Sequence, residues 1–250
     1  HAVYVGSGNR KDIRNAVSAA SKASAWGSQS DHGRAQVIYF IAENLSIRES
    51  EWIQRLVTLC GVSKKQAKAE FDESVSRLFS YAAWADKYDG AVHNAPYRGV
   101  TMALPEAIGV LSQIAPEETP LLSTISLIAP AIAMGNRVVL VPSERFANVA
   151  LELVQVFETS DVPGGVINIV SGNKRDLAEQ LAGHAEVDAM WCWADQETLT
   201  SIETISAMDL KRLWVHHDGD RDWLDPCQGE SLEFLRNATE VKNIWTPYGD

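Results

Sequence analysis

Three cysteines are the residues of this chain whose side chains could act as nucleophiles. Cys227 lies in an Asp-Pro-Cys-Gln-Gly segment, where a thiolate could attack a substrate carbonyl. A reactive thiolate needs a base or an electropositive pocket, and this stretch is acidic. We therefore expect Cys227 to be inert, and we expect Cys60 and Cys192 to be ordinary buried residues.

A pair of histidines followed by regularly spaced aspartates is the second candidate for chemistry. Asp218, Asp220 and Asp222 alternate after His216 and His217, as the first ligands of a calcium-binding loop do. Such a loop then needs a glycine and a bidentate glutamate, and this chain has tryptophan and glycine at those positions. We expect a solvated acidic turn and no metal site. An enzyme of another chemistry built around the two histidines is a hypothesis that no other residue supports.

Composition and charge exclude several classes of partner. The formal net charge is -11 over 250 residues, and lysine and arginine are scattered, so we expect no nucleic-acid partner. The sequence has no apolar run near the roughly 18 residues that span a bilayer, so we expect no membrane association. Three widely spaced cysteines form neither a disulfide framework nor a Cys-x-x-Cys metal site, which favours a cytoplasmic location.

The pattern of apolar residues predicts helices first and a sheet afterwards. Residues 1–90 repeat apolar positions at helical spacing. The spacing then changes, and residues 91–105 are typical of a hairpin that turns at Pro96 and Tyr97. We expect this hairpin to project from the body of the protein.

Short apolar runs alternate with helix-length segments over residues 106–217, which indicates a βα repeat. A polar segment follows at 218–230, and residues 231–250 supply a short helix and a last strand near Ile244. The expected fold is α/β, a Rossmann-like parallel sheet with helices on both faces and a projecting β-hairpin joined by the final strand. The five expected sheet strands are Ile108–Ile114, Arg137–Val141, Val166–Val170, Val187–Trp193 and Arg212–His216.

Four linked motifs, in order along the chain, resemble the cofactor domain of aldehyde dehydrogenases. The resemblance covers residues 105–172 most closely and continues more loosely on either side. It implies a sheet of the NAD-binding type and, in the hairpin, a flap of the kind through which members of that family oligomerise. The four motifs are Pro105–Val110, Pro130–Val139, Pro142–Glu144 and Pro163–Gly172.

The positions that bind NAD in that family are mostly changed here. Val141 stands where the resemblance implies a lysine that grips the adenosine ribose, and of that pair only Glu144 is retained. Glu144 is therefore the one candidate cofactor ligand, although a glutamate after Pro-Ser at a strand end is equally a plain helix-start residue. Loss of one charged hydrogen bond typically weakens binding by about 1.5–3 kcal/mol.

Two further changes oppose a bound pyrophosphate and an oxyanion. The family's Phe-Thr-Gly-Ser segment, at the helix that receives the pyrophosphate, is Cys192–Asp195 here, and Asp195 is placed to cap that helix. Glu118 stands where the resemblance implies an asparagine that donates a hydrogen bond to the oxyanion. An ionised glutamate side chain can only accept hydrogen bonds. We therefore expect no cofactor in this chain and NAD in the parent enzyme.

The largest departure concerns the catalytic domain, which the family inserts before the terminal strand. Residues 218–230 stand in its place, and Leu213–His217 occupies the strand where the resemblance implies a general-base glutamate. We therefore identify no catalytic residue and expect no enzymatic activity from this chain alone.

This combination resembles the non-catalytic C-terminal domain of family-16 aldehyde dehydrogenases, and the start at His1 fits a piece of a longer protein. The resemblance implies a structural or assembly role in a larger NAD(P)-dependent aldehyde dehydrogenase. The expected partners are the catalytic aldehyde dehydrogenase unit of the same chain and a second copy of the parent in a homodimer. The alternative is a regulatory domain that binds NAD or another nucleotide.

Overall fold

The computed structural model describes residues 5–96 and 98–248. His1 and Tyr97, which belong to the expectations for the chain start and the hairpin turn, lie outside the described residues. Within the described residues, no helix is both long and apolar enough to cross a lipid bilayer.

The helices are α1 (Arg10–Lys22), α2 (Asp31–Ser46), α3 (Glu49–Cys60), α4 (Lys64–Ala85), α5 (Pro120–Ala133), α6 (Ala147–Glu158), α7 (Lys174–Ala182), α8 (Gln196–Ser206), α9 (Pro226–Gly229) and α10 (Leu232–Asn237). The strands are β1 (Ala91–His93), β2 (Gly99–Ala107), β3 (Val110–Ile114), β4 (Arg137–Val141), β5 (Ile167–Ile169), β6 (Ala189–Ala194), β7 (Arg212–His217) and β8 (Thr239–Pro247).

Five strands form a parallel sheet in the order β5-β4-β3-β6-β7. Side chains alternate between its faces, so that Val138 and Leu140 of β4 pack into one core cluster, whereas Val139 and Val141 pack into another. The first cluster includes residues of α2, α4, α5 and α6, and the second includes residues of α1, α7 and α8. Helices therefore cover both faces, which confirms the expected α/β fold with a Rossmann-like parallel sheet.

The strand bounds follow the apolar runs closely. β4 has the bounds expected from the sequence, because its five residues are apolar on both faces apart from the first. β3 begins at Val110 rather than at Ile108, since Gly109 has a φ of 137° and its N–H donates to the side chain of Asn136. The strand therefore starts only after this glycine.

Three further strands form an antiparallel sheet in the order β1-β2-β8, which we call the flap. Strand β8 pairs with the whole of β2, from Gly99 opposite Pro247 to Ala107 opposite Thr239. Strand β2 thus runs past residue 105, the expected end of the hairpin, because β8 supplies hydrogen-bond partners to Ala107.

The segment 218–230, which we call the cap, is more than the solvated polar turn that its composition indicates. Trp223 is 2% exposed, and its ring centroid lies 5.4 Å from that of Trp193 and 6.2 Å from that of Phe234. Arg77 of α4 is fully buried and donates to the Trp223 carbonyl at 2.9 Å. The acidic residues at the start of the cap are exposed as expected, and one large apolar side chain anchors the segment against the sheet.

Strands β6 and β7 present aromatic rings to the side that the cap covers. Trp191 and Trp193 are buried, which confirms that both belong to the core. Trp214 lies edge-on to these two rings, with centroids 5.0 and 5.3 Å away. The guanidinium of Arg221 in the cap lies 5.3 Å from the Trp214 ring, a cation–π distance. Cap and sheet therefore share one aromatic core.

Helix α5 is buried along its length and begins after Thr119, which has a φ of 39° and makes no side-chain cap. Glu70 of α4 supplies the missing acceptor, since one of its carboxylate oxygens accepts from the N–H groups of Leu121 and Leu122 at 2.8 and 3.3 Å. Burial raises the pKa of Glu70 to about 7, although the two hydrogen bonds oppose the rise. An acidic group from a neighbouring helix thus satisfies the start of α5.

Candidate functional site

A group of charged side chains lies at the carboxyl ends of the parallel strands. In open α/β sheets, ligands bind in the crevice outside these ends, where the strand order switches, which here is between β3 and β6. The side chains at this edge are mainly acidic. We define the strand-end crevice as Glu117, Glu118, Ser143, Glu144, Lys174, Asp195 and Asp218.

Glu117, on the loop after β3, makes the densest set of contacts in the crevice. Its carboxylate accepts from Ser143 Oγ at 2.6 Å and from the backbone N–H groups of Glu144 and Arg145 at 3.0 and 3.1 Å. The ammonium of Lys174 lies 3.4 Å from the same carboxylate. Burial favours a higher pKa for Glu117, but these hydrogen bonds and the lysine charge outweigh it, and the pKa lies below its usual value. The carboxylate is therefore ionised and fully engaged near neutral pH.

Lys174 begins helix α7 and is 9% exposed. Its ammonium lies 3.3 Å from the Asp218 carboxylate as well as 3.4 Å from Glu117. Burial raises the pKa of Asp218 above its usual value, and the lysine charge only partly opposes this rise. The one buried cation of the crevice is thus shared by two carboxylates of the chain itself.

Glu144, the candidate cofactor ligand, is also engaged within the protein. Its carboxylate accepts from the backbone N–H of Lys174 at 3.0 Å, at the first residue of α7. A glutamate at a strand end would be expected to accept from the helix that follows it, which is α6. The Glu144 carboxylate instead accepts from α7. Before α6 it is Ser143 that accepts, from the N–H of Phe146 at 3.1 Å.

Asp195 is the N-cap of α8, as the sequence predicts. Its carboxylate accepts from the backbone N–H of Thr198 at 2.9 Å and lies 3.1 Å from the Thr198 hydroxyl. These hydrogen bonds, that of the backbone first, lower the pKa of Asp195. The beginning of α8 therefore already holds a negative charge.

The motif residues that the chain keeps hold the fold together. Asn136 accepts from the N–H of Gly109 and donates to the carbonyls of Ala131 and Ala238, so that one side chain joins β3, α5 and the terminal segment. Gly165 has a φ of 89°, and a Cβ there would meet the Ala19 carbonyl oxygen at 2.5 Å. A glycine is required at this turn whether or not a ligand binds.

The three cysteines differ in environment. Cys192 is buried, and burial raises the pKa of its thiol to about 12. Cys60 is only half-buried, contrary to expectation, because it ends α3 at the surface, yet burial and the nearby Glu70 raise its pKa to about 12 as well. Cys227 is exposed on α9, where its N–H donates to Asp225. Neither Cys60 nor Cys192 forms a thiolate near neutral pH.

The histidines and the aspartates of the cap serve turns and packing. The ring of His216 is stacked on that of Trp193 with centroids 5.1 Å apart, and burial, followed by the charge of Arg221, lowers its pKa. Asp220 accepts from the N–H of His217. Among residues 5–96 and 98–248, no group of three or more His, Cys, Asp or Glu side chains is arranged to hold a metal ion.

Comparison with known proteins places the chain in a family. Residues 2–223 match the model of the aldehyde dehydrogenase family. Betaine aldehyde dehydrogenase of Bacillus subtilis is 32% identical over 220 residues, which cover 86% of this chain and 45% of that protein. Aldehyde dehydrogenase family 2 member B4 of Arabidopsis thaliana is 34% identical over 192 residues, or 75% of this chain and 36% of that protein.

Solved structures show the same similarity. Betaine aldehyde dehydrogenase of Staphylococcus aureus in complex with NAD+ has a TM-score of 0.80 at 25% identity, over 85% of this chain and 43% of that one. The NAD-dependent aldehyde dehydrogenase of Sinorhizobium meliloti has a TM-score of 0.80 at 26% identity, over 84% of this chain and 43% of that one. The chain thus spans less than half the length of these relatives. By sequence and by fold, it belongs to the aldehyde dehydrogenase family.

Proposed function

We propose that this chain is a non-catalytic aldehyde dehydrogenase unit with a structural, assembly role in a larger NAD-dependent aldehyde dehydrogenase. One observation carries the proposal. Carboxylates of the chain itself accept from backbone N–H groups at three places along the strand-end crevice: Glu117 in the turn that precedes α6, Glu144 at the first residue of α7 and Asp195 in the first turn of α8.

NAD does not fit a crevice arranged in this way. The pyrophosphate of a dinucleotide binds to free N–H groups at a helix beginning, where the helix dipole favours negative charge. Here those N–H groups donate to glutamate and aspartate, and a pyrophosphate would meet carboxylates in its place. We propose that this chain holds no cofactor and that NAD binds to the catalytic unit of the parent protein, like the NAD+ in the Staphylococcus aureus structure.

The absence of catalysis from this chain is part of the proposal. The cap occupies the place at which the resemblance implies a catalytic domain, and it packs on the sheet through Trp223. The N–H of exposed Cys227 donates to the Asp225 carboxylate, which also accepts from the side chain of Gln228. The proposal parallels the family-16 aldehyde dehydrogenases, in which a second, C-terminal unit serves assembly.

The flap is the surface that we propose for assembly. Val92 faces the same side as Val100 and Leu104, because Val92 pairs with Met102 in the register of β1 with β2. Val92, Val100 and Leu104 are 73%, 37% and 38% exposed. An exposed apolar sheet face favours association. The proposed partners are the catalytic unit of the same polypeptide and a second copy of the parent in a homodimer, in a cytoplasmic setting that suits three free cysteines.

Aldehyde-dependent reduction of NAD tests the proposal directly. The assay compares the full-length parent, its catalytic unit alone and this chain alone at equal molar concentrations. We expect turnover only from the two preparations that contain the catalytic unit. Turnover by this chain alone would contradict the proposal and would direct attention to Cys227 and the histidine pair.

The alternative is a regulatory domain that binds NAD or another nucleotide. It is favoured by the position of Lys174, a cation at the switch point of the sheet. Calorimetric titration of the chain with NAD and with AMP separates the two functions. Micromolar affinity for either ligand would support regulation, and heats equal to those of dilution support the assembly role.

A further inference from the structure

The turn after β4 has the form of an anion-binding site. The N–H groups of two consecutive residues, Glu144 and Arg145, point the same way, and the hydroxyl of Ser143 joins them. Successive backbone N–H groups in such a concave turn bind carboxylate and phosphate oxygens. The buried ammonium of Lys174 completes a set of four donors.

The four donors converge on the two oxygens of one carboxylate. Oε2 of Glu117 accepts from Ser143 Oγ at 2.6 Å and from the N–H of Arg145 at 3.1 Å. Oε1 accepts from the N–H of Glu144 at 3.0 Å and lies 3.4 Å from Lys174 Nζ. Each carboxylate oxygen thus has two donors, and the bound anion is a side chain that arrives from the neighbouring strand end.

We propose that Ser143, Glu144, Arg145 and Lys174 form an anion-binding nest, and that Glu117 occupies it as an intramolecular substitute for the carboxylate or phosphate group of a ligand. Glu117 is then the residue that closes the crevice. The inference goes beyond the assembly role, because it concerns the contacts of one side chain and holds whichever surface of the protein mediates assembly.

Removal of Glu117 tests the nest. Glu117→Ala leaves four donors without their acceptor, and a small anion from solution can then take the vacated position. A ligand that binds only the folded state raises the unfolding temperature in proportion to the logarithm of its concentration above Kd. We expect formate, acetate or phosphate to raise the Tm of Glu117→Ala by several degrees and in a saturable manner.

The measurement is thermal unfolding in formate, acetate and phosphate against chloride at equal ionic strength. Glu118→Ala is the matched control, since Glu118 is an exposed neighbouring glutamate. Neither wild type nor this control is expected to show a saturable rise, because Glu117 still fills the nest. In the double variant Glu117→Ala/Lys174→Met, we expect the apparent Kd for the anion to be at least tenfold higher than in Glu117→Ala.

Three outcomes decide the proposal. Saturable stabilisation of Glu117→Ala supports it, and additional stabilisation by AMP over phosphate would show that the opened crevice also accepts a nucleoside. An anion response equal to that of wild type in a folded Glu117→Ala protein overturns it. Should Glu117→Ala not fold, Glu117→Ser also vacates the nest, because its short side chain does not reach the donors, and it keeps a polar group in the loop. Calorimetry with formate on that variant must then show binding absent from wild type, and equal heats overturn the proposal.

None of these outcomes depends on the assay for assembly or turnover. A nest without anion affinity would leave the assembly role standing, since NAD reduction by this chain alone is measured separately. Conversely, turnover by this chain would contradict the proposed function and leave the anion response of Glu117→Ala as it is.

Discussion

At the scale of single residues, the described part of this protein uses carboxylates where helices begin. The first N–H groups of a helix have no partner within it; a carboxyl side chain accepts their hydrogen bonds and, when ionised, also complements the helix dipole. Asp195 does this for its own helix, whereas Glu70 and Glu144 do it for helices elsewhere in the sequence. N–H groups that could bind an anionic ligand therefore already donate to carboxylates of the chain itself.

The buried glutamate at α5 makes stability depend on pH. The pKa of Glu70 in the folded protein is about 7, whereas its ordinary value is 4.5, so the folded state binds an additional proton between these values. Stability attributable to Glu70 therefore falls as pH rises from about 4.5 through 7. In Glu70→Gln the amide oxygen can still accept from Leu121 and Leu122, and the charge is gone. We expect Glu70→Gln to be more stable than wild type at pH 8 and nearly equal to it at pH 5.

Urea unfolding of both proteins from pH 5 to pH 8 measures this difference. Glu43→Gln is the control, since Glu43 is exposed on α2 and its replacement should leave the pH profile unchanged. If the free energy of unfolding changes with pH equally in wild type and Glu70→Gln, the carboxyl of Glu70 stays ionised in the folded protein at all these pH values.

The sequence predicts the residue contacts that are local and misses those that are not. Asp195 could be assigned as a cap because its partner lies three residues away. The partners of Glu117 and Glu70 lie 26 and 51 residues away, and no periodicity links such positions. Glu144 was open to two interpretations because its own contact, with Lys174, also crosses between elements. The position of the candidate site could therefore be predicted from the sequence. That its N–H groups donate to carboxylates of the chain itself could not.

At the scale of elements, one buried side chain anchors the cap to the sheet. Trp223 fills the space beside Trp193 and Phe234 and is 2% exposed. Truncation of a buried tryptophan typically costs about 3–5 kcal/mol. We expect Trp223→Ala to lower the free energy of unfolding by about that amount, and Leu224→Ala, at a neighbouring position that is 42% exposed, to lower it by less than about 1 kcal/mol.

Equilibrium unfolding in urea, followed by circular dichroism, measures both variants. A loss of stability at Trp223→Ala no greater than that at Leu224→Ala would mean that the cap is dispensable and that the sheet closes without it. The sequence could not predict this contact, because one tryptophan among aspartates does not alter the average polarity of the segment.

Sheet strands are predicted well for a physical reason. A strand buried on both faces must be apolar at consecutive positions, and that signal is complete within the five residues of β4. The extent of β2 is set instead by its pairing with β8, more than a hundred positions further along the chain. Element type is thus a local property here, whereas element length depends on the partner strand.

At the scale of the whole molecule, the two faces of the flap differ in what they offer a partner. Val92 lies on the face with Val100 and Leu104, whereas Val241, which pairs with Pro105, lies on the opposite face. Val92 and Val241 are 73% and 61% exposed, so each accepts a lysine without strain inside the protomer. The two positions form a matched pair for testing the proposed assembly surface.

We expect Val92→Lys to weaken self-association of the full-length parent by about tenfold or more, because a two-fold interface buries the change twice. Val241→Lys should leave association unchanged. Size-exclusion chromatography with light scattering over a dilution series gives both dissociation constants. If Val241→Lys weakens association and Val92→Lys does not, the wrong face of the flap has been assigned.

The edge-to-face tryptophans of the sheet and the cap have a spectroscopic consequence. Indole rings with centroids 5.0 to 5.4 Å apart, as Trp191, Trp214, Trp193 and Trp223 are in that succession, couple their electronic transitions. Such coupling gives a paired positive and negative band in the far-ultraviolet that depends on ring geometry and not on backbone conformation. The protein therefore carries an optical reporter of its own tertiary packing, which distinguishes a detached cap from an unfolded helix without any added label.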